Sequence, residues 1–387
     1  MTTNQPFRRI RLGMVGGGPG AFIGGVHRIA ARLDDRYELV AGALASEPER
    51  ARAGAATLGM APDRAYGSYQ EMAAREKARG DRIDAVAIVT PNHQHHGPAK
   101  LFLESGFHVI CDKPLTTNLA DALDLANTVR RTGLVFGLTH NYTGYPMVRQ
   151  ARSMVADGQL GRIRVVQVEF AQDWLTERLE ETGQKQAAWR TDPAQSGPAG
   201  CLGDIATHAY NLARFVTGLG CEAIAADLST FVTGRRLDDN VNMLMRLSGG
   251  VRGMLWASQV APGNENNLRL RVYGERAGLD WRQEDPNYLW LTPHGKPPQL
   301  LRRAGAGIGP AATHATRIPA GHPEGYLEAF AQLYTDLAER IAAHRDGRPA
   351  DPATSLVPGV EDGVEGVRFI EAALKSSLAD ATWVVLG

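Results

Sequence analysis

The sequence predicts an α/β fold in two parts: a parallel sheet wound with helices, then an α+β region on a large open, mostly antiparallel sheet. Three observations carry this expectation. Over the first third, β-prone runs alternate with helical ones; from residue 222 to 273, strand-like runs follow one another without helices between them. The chain of 387 residues also exceeds the roughly 250 to 300 at which a single core stops growing. The expected parts are residues 1–140 and 141–387.

Residues 10–15 form a short β-prone run that breaks into Gly16-Gly17-Gly18-Pro19-Gly20, and residues 23–33 then suit a helix. A strand at 37–43, an alanine-rich helix at 47–59, a strand at 85–89, a helix at 98–105 and a strand at 107–111 follow. Asn118 is placed to cap a helix running to about residue 131, and 134–139 completes the series. Strands separated by helices need crossovers, hence a parallel sheet with helices on both faces. Ligands of such sheets bind beyond the carboxyl ends of the strands. Asp112-Lys113-Pro114 closes the 107–111 strand, where side chains are delivered to a ligand.

The second part opens with a helix at 146–157, a strand at 162–170 and a glycine-led helix at 199–217. Runs at 222–233, 240–247, 251–260 and 268–273 then lack intervening helices, so successive strands are expected to pair antiparallel. A helix at 362–380 and a short run at 382–386 end the chain. The exposed face of such a sheet needs a partner subunit or loops to cover it.

Lysine plus arginine and aspartate plus glutamate number 42 each, so no net field draws nucleic acid or an anionic membrane; a small-molecule partner is expected. Cys111, Cys201 and Cys221 lack C-x-x-C spacing and suit reduced thiols. MTTNQPFRRI has no signal-peptide core, and no run approaches the ~20 apolar residues of a membrane span. A soluble, cytoplasmic protein is expected. The glycines show no period and no repeat is visible.

The glycine loop approximates the dinucleotide fingerprint G-x-G-x-x-G, but Gly24 follows Gly18 after five residues rather than two. Its backbone and the following helix N-terminus suit a pyrophosphate, which nominates Gly16, Gly18, Pro19, Gly20, Ala21, Phe22 and Ile23. A merely flexible turn is the bland alternative. Ser46, Glu47 and Arg50 follow the second strand, where the adenosine ribose is met. Glu47 favours NAD over NADP by accepting ribose hydroxyls; Arg50 and Ser46 pull the other way, and Glu47 also suits a helix first turn.

Asp204 and His208 stand four apart in a helical run, so an aspartate beside an imidazole would hold its tautomer and raise its basicity. Such a pair is common on helix surfaces; its interest comes from joining Lys113. His140-Asn141-Tyr142, Asp173-Trp174 and Trp189-Arg190 set aromatic faces beside polar groups, a combination suited to a polyhydroxylated ring. Each tryptophan has an equally good reading as core. No metal is expected at His93-Gln94-His95-His96, since no carboxylate or cysteine set accompanies it.

Taken in order, the glycine loop, VICDKPL (109–115) and DIATH (204–208) resemble the Gfo/Idh/MocA family, the glucose-fructose oxidoreductase and inositol dehydrogenase relatives. The resemblance covers nearly the whole chain. It implies an N-terminal Rossmann domain and a C-terminal domain whose open sheet forms a homodimer or homotetramer interface. The family's E-K-P motif falls on Asp112-Lys113-Pro114, with an implied cis peptide before the proline. D-x-G-x-H-x-x-D falls on Asp204 to Asn211, which carries over Lys113, Asp204 and His208 as catalytic. T-P-N-x-x-H falls on Thr90-Pro91-Asn92-His93-Gln94-His95, which puts Thr90, Pro91, Asn92 and His95, with Asp112 and Lys113, along the nicotinamide half. Asp112, Ala206 and Asn211 depart from the family's glutamate, glycine and second aspartate, leaving the substrate open.

The implied activity is an NAD(P)-dependent dehydrogenase, NAD before NADP, oxidising a secondary hydroxyl of a sugar or cyclitol to a ketone or lactone. Lys113 and His208 would share the hydroxyl oxygen, either being the base, with Asp204 supporting the imidazole. An NAD-dependent glycosidase working by transient oxidation and elimination, and a non-catalytic cofactor or sugar sensor, are the alternatives.

Overall fold

The computed structural model describes residues 8–386; residues 1–7, most of the N-terminal stretch read for a targeting signal, and residue 387 lie outside it. Strands β1 (Ile10–Gly16), β2 (Tyr37–Ala43), β3 (Ala85–Val89), β4 (His108–Cys111) and β5 (Phe136–Leu138) form a sheet of order β2-β1-β3-β4-β5. All its pairings are parallel. Buried on both faces, β3 reads as the unbroken apolar run AVAIV. Its neighbouring residues serve opposite cores: Ala85, Ala87 and Val89 pack on one side, Val86 and Ile88 on the other. Asn118 caps the helix Leu119–Thr132 by accepting from the Asp121 amide at 2.9 Å, and Gly133 ends it at φ 67°.

The remaining strands are β6 (Ile163–Ala171), β7 (Cys221–Ser229), β8 (Asn240–Leu247), β9 (Val251–Ser258), β10 (Asn267–Gly274), β11 (Ala277–Arg282), β12 (Tyr288–Pro293), β13 (Gln299–Arg302) and β14 (Val384–Val385). They form one nine-stranded sheet, β13-β12-β11-β10-β6-β9-β8-β7-β14. Antiparallel pairing of successive strands fails at one place. β9 and β10 are not neighbours, because β6 lies between them, parallel to β9 and antiparallel to β10.

Elements absent from the sequence reading include the helices Tyr69–Lys77 and Tyr326–Arg345 and the successive strands β11, β12 and β13. Tyr326–Arg345 returns to the first sheet, where Phe330, Leu333, Tyr334, Leu337 and Ile341 join Val26 and Ala30 of the helix Phe22–Leu33. The first core is therefore not completed within residues 1–140. Arg149, on the helix Pro146–Ala156, reaches the same long helix and places Nη2 2.6 Å from Asp336 Oδ2, with neither side chain exposed. His314 and Gln332 bond the other oxygen of Asp336, at 2.7 and 2.8 Å. This buried network ties together segments more than 150 residues apart in sequence.

Candidate active site

Two cavities lie end to end at the carboxyl edge of the first sheet, with Ile23, Thr90, Gln186 and Trp189 lining both. The larger, of about 750 Å³, is walled by Gly16, Gly17, Gly18, Pro19, Ala21, Ser46, Arg50 and Pro91. Bare backbone is required in this loop. Gly16 has φ 75°, and a Cβ there would meet Val89 O at 2.7 Å. Gly24 lies against the Gly17 backbone, where a Cβ would come within 2.2 Å of Gly17 O. Despite the longer spacing, Gly24 thus makes the close helix–turn approach expected of the fingerprint's last glycine. The helix Phe22–Leu33 has no side-chain cap and no acid in its first turn, so its leading amides remain for an anion. These features fit a dinucleotide's diphosphate. Gly24→Ala is expected to weaken NADH binding at least tenfold by nicotinamide fluorescence; unchanged affinity would contradict this close packing.

The second cavity, of about 510 Å³, lies where the two sheets meet. Lys113 from the end of β4 and His208 from the helix Thr207–Thr217 both line it, with Asp112, Asn141, Tyr142, Trp174, Arg190 and Asp204. Lys113-Pro114 is a cis peptide. Asp112 Oδ1 accepts from the Lys113 amide at 2.9 Å and from the Thr139 hydroxyl at 2.8 Å, so the acid shapes the strand end. Lys113 Nζ donates to Asp204 at its carbonyl (2.6 Å) and at Oδ1 (3.0 Å). Arg190 Nε (3.2 Å) and Gln259 Nε2 (2.9 Å) hold Asp204 Oδ2.

The expected Asp204–His208 pairing is corrected here. Leu202–Ala206 is a π-helical turn, whose wider winding takes residues four apart off a common face, and two nearby cations draw the carboxylate. His208 Nδ1 is buried without a hydrogen-bond partner. The imidazole is instead packed by Tyr142 (4.8 Å between ring centres) and His140 (5.4 Å).

Burial, then the Lys113 charge, pushes His208 well below the ordinary histidine value, so it is neutral at pH 7. Burial alone would raise Asp204, but Lys113 and Arg190 overcome it and hold the carboxyl below the usual range.

Other expected site residues stand elsewhere. Glu47 is exposed at the start of the helix Pro48–Thr57 and does not line the cavity, because the chain turns outward there; an NAD preference does not rest on its carboxylate. Gly20 occupies the outer turn at φ 82°. His95 is buried, with ring nitrogens 2.8 Å from Pro114 O and 2.9 Å from Thr90 O, bracing both motifs from behind. His140 backs His208 rather than lining the cavity, and Asp173 Oδ2 accepts from the Gly263 amide at 3.2 Å. Phe22 and Asn92, expected at the cofactor, line the second cavity.

The sequence reading missed Gln172, Gln186, Glu265, Asn266, Gln283 and Tyr326, all lining the second cavity. Isolated amides on strands and loops carry no spacing signal; only the topology gathers them.

Burial lowers His27 and His108 to about 4 and His140 to about 3, and lowers His208 too. In each case the unfolded chain takes up a proton near pH 6.5 that the folded one refuses. Their contribution to stability is present above that pH and falls as pH drops below it, at roughly 1.4 kcal/mol per pH unit per histidine, until pH 3 to 4 for His27, His108 and His140. Asp238, pushed up to about 6 by burial, acts in the opposite sense. Thermal melts should show Tm falling from pH 7 to pH 5; a flat or rising Tm would refute the buried neutral imidazoles.

The chain belongs to the oxidoreductase family with an NAD-binding Rossmann fold, whose model matches residues 10–140, while the GFO/IDH/MocA C-terminal domain matches 148–280. An oxidoreductase from Sinorhizobium meliloti is 54% identical, covering 97% of this chain and 99% of its own, with a TM-score of 0.89. An inositol dehydrogenase homologue from Azotobacter vinelandii, solved with NADH and myo-inositol, is 37% identical over 98% of both chains, with a TM-score of 0.90. Levoglucosan dehydrogenase from Pseudarthrobacter phenanthrenivorans is 27% identical over 78% of this chain and 80% of its own. The chain is thus similar to NAD-dependent sugar and cyclitol dehydrogenases and carries an NAD-binding domain. Among the described residues, no helix is long and apolar enough to cross a membrane.

Proposed function

We propose that the protein is an NAD-dependent dehydrogenase that oxidises a secondary hydroxyl of a sugar or cyclitol to the ketone or lactone. The observation that carries this reading is that Lys113, at the end of β4, and His208, on the helix Thr207–Thr217, line one cavity adjoining the glycine-walled one. The names of the relatives, one acting on levoglucosan and one solved with myo-inositol, support the substrate class.

When bound, NAD supplies the hydride acceptor. The chain's own residues handle the proton and the charge. His208, neutral at pH 7, takes the hydroxyl proton, while Lys113 donates a hydrogen bond to the same oxygen and offsets its growing negative charge. Asp204, tied to Lys113, Arg190 and Gln259, fixes the direction of the ammonium group. Trp174 and Trp189 line the cavity and supply aromatic surface suited to the C–H side of a ring. The test is a panel of inositols, aldoses and anhydrosugars assayed for NADH formation. Turnover of at least one member is expected; none from the whole panel would overturn the reading.

The exposed face of the nine-stranded sheet carries Leu244, Met254, Trp290 and Trp383, between 37% and 50% exposed. Large apolar side chains exposed on a sheet face call for a cover, and we read this face, which also carries the ion-paired Glu169 and Arg271, as the contact face of a homodimer or homotetramer. Light scattering on the eluted protein should return a multiple of the chain mass. A monomer at micromolar concentration would contradict that assembly.

A further inference from the structure

We propose that the second cavity selects an uncharged polyol over its phosphorylated or carboxylated counterparts, with Glu265 at the rim turning anions away. The inference deepens the dehydrogenase reading and rests on it for the hydroxyl chemistry alone. Its basis is the charge balance of the wall. The carboxylates of Asp112, Asp204 and Glu265 line the cavity against two cations, Lys113 and Arg190. Both cations are already committed to one acid. Lys113 Nζ stands 3.0 Å from Asp204 Oδ1 and Arg190 Nε stands 3.2 Å from Asp204 Oδ2. Arg190 also gives Nη1 to Gln186 Oε1 at 2.5 Å and lies over the Trp189 ring at 4.3 Å. An entering phosphate or carboxylate therefore meets cations whose charge Asp204 already offsets, in a wall that holds one more acid than base. To compensate the anion fully, either cation would have to turn from Asp204, leaving that buried carboxylate short of a partner.

The rest of the wall is neutral and arranged for hydroxyls. Trp174 Nε1 donates to Gln172 Oε1 at 3.1 Å, and Gln172 Nε2 donates to Asn266 Oδ1 at 2.7 Å. This chain of amides runs along the ends of β6 and β10, and its fixed orientation sets which donors and acceptors remain for a ligand. Asn141, only 2% exposed and lining the cavity, has a side-chain nitrogen with no hydrogen-bond partner among the described residues. This amide adds a neutral dipole and no positive charge to that part of the wall. Glu265 follows in the exposed loop before β10, adjacent to Asn266, and makes no ion pair among the described residues. Its charge faces whatever enters, so a like-charged group is opposed before it reaches the amides.

The experiment titrates pairs of ligands into the NADH-loaded protein by calorimetry: a neutral cyclitol and its monophosphate, glucose and glucose 6-phosphate, glucose and glucuronate. The same compounds are assayed with NAD for NADH formation. Neutral members are expected to bind, with each anionic counterpart weaker by about 30-fold or more. Glu265→Lys should narrow that gap at least tenfold, and Glu265→Gln by a smaller factor. Anions binding as tightly as their neutral partners overturn the inference, as does an unchanged gap in Glu265→Lys or a failure of every neutral member to bind. Neutral ligands that bind selectively without yielding NADH would leave charge selection standing and bring down the dehydrogenase reading instead.

Discussion

Lys113→Ala is expected to lower kcat by roughly 10²–10⁴ while leaving NADH affinity within a few-fold of the parent. The ammonium group lies at the strand end that faces the second cavity, 3.0 Å from Asp204 Oδ1 and away from the glycine loop that holds the diphosphate. Its loss removes a donor whose value grows as negative charge gathers on the substrate oxygen, so kcat should suffer more than KM. Lys113→Arg should not restore the rate, because a planar fork cannot keep both the carbonyl and carboxylate contacts of Asp204 from the same position. Steady-state kinetics on the best substrate of the panel, with fluorescence titration of NADH, checks both parts. Full turnover in Lys113→Ala removes the scheme.

The largest stability effect is expected at Asp336→Ala. Arg149 and Asp336 are fully buried 2.6 Å apart, and truncating the acid strands a guanidinium in the interior. Breaking such a pair costs about 3–5 kcal/mol, much of it the penalty for the remaining charge. Urea unfolding should report the loss, and Arg149→Met combined with Asp336→Leu should recover a good part of it. A single-variant loss below about 1 kcal/mol would mean that water or another acid reaches the arginine. The pair joins the helix Pro146–Ala156 to the long helix that covers the first sheet, so its failure loosens the seam on which both cavities depend.

The same seam marks where sequence reading stopped. The first sheet was legible because period and punctuation agree: β3 is a short apolar run, Asn118 caps, Gly133 terminates. Tyr326–Arg345 escaped although Glu328, Gln332, Thr335 and Glu339 recur at helical spacing; Gln332 and Asp336 are buried, so much of its polar stripe lies in a seam rather than facing solvent. The insertion of β6 between β9 and β10 was equally invisible, since local alternation says nothing about which strand becomes the neighbour.

At the site, motifs placed Lys113, Asp204 and His208 on one cavity, but spacing misjudged how they interact. The π-turn at Leu202–Ala206 breaks the assumption that residues four apart face each other, and Asp204 goes to Lys113. The amides Gln172, Asn266 and Gln283 come from separate strands and loops and share the cavity only after folding. Glu47 carried a cofactor expectation on its position after β2, yet the chain turns it outward.

In the proposed site, Lys113 and His208 address one substrate oxygen beside the cofactor's reactive end. A crystal structure of the protein with NADH and a turned-over polyol should show one hydroxyl oxygen within about 3.2 Å of both Lys113 Nζ and a His208 ring nitrogen. A polyol bound in the same cavity with every hydroxyl out of reach of either group would contradict it.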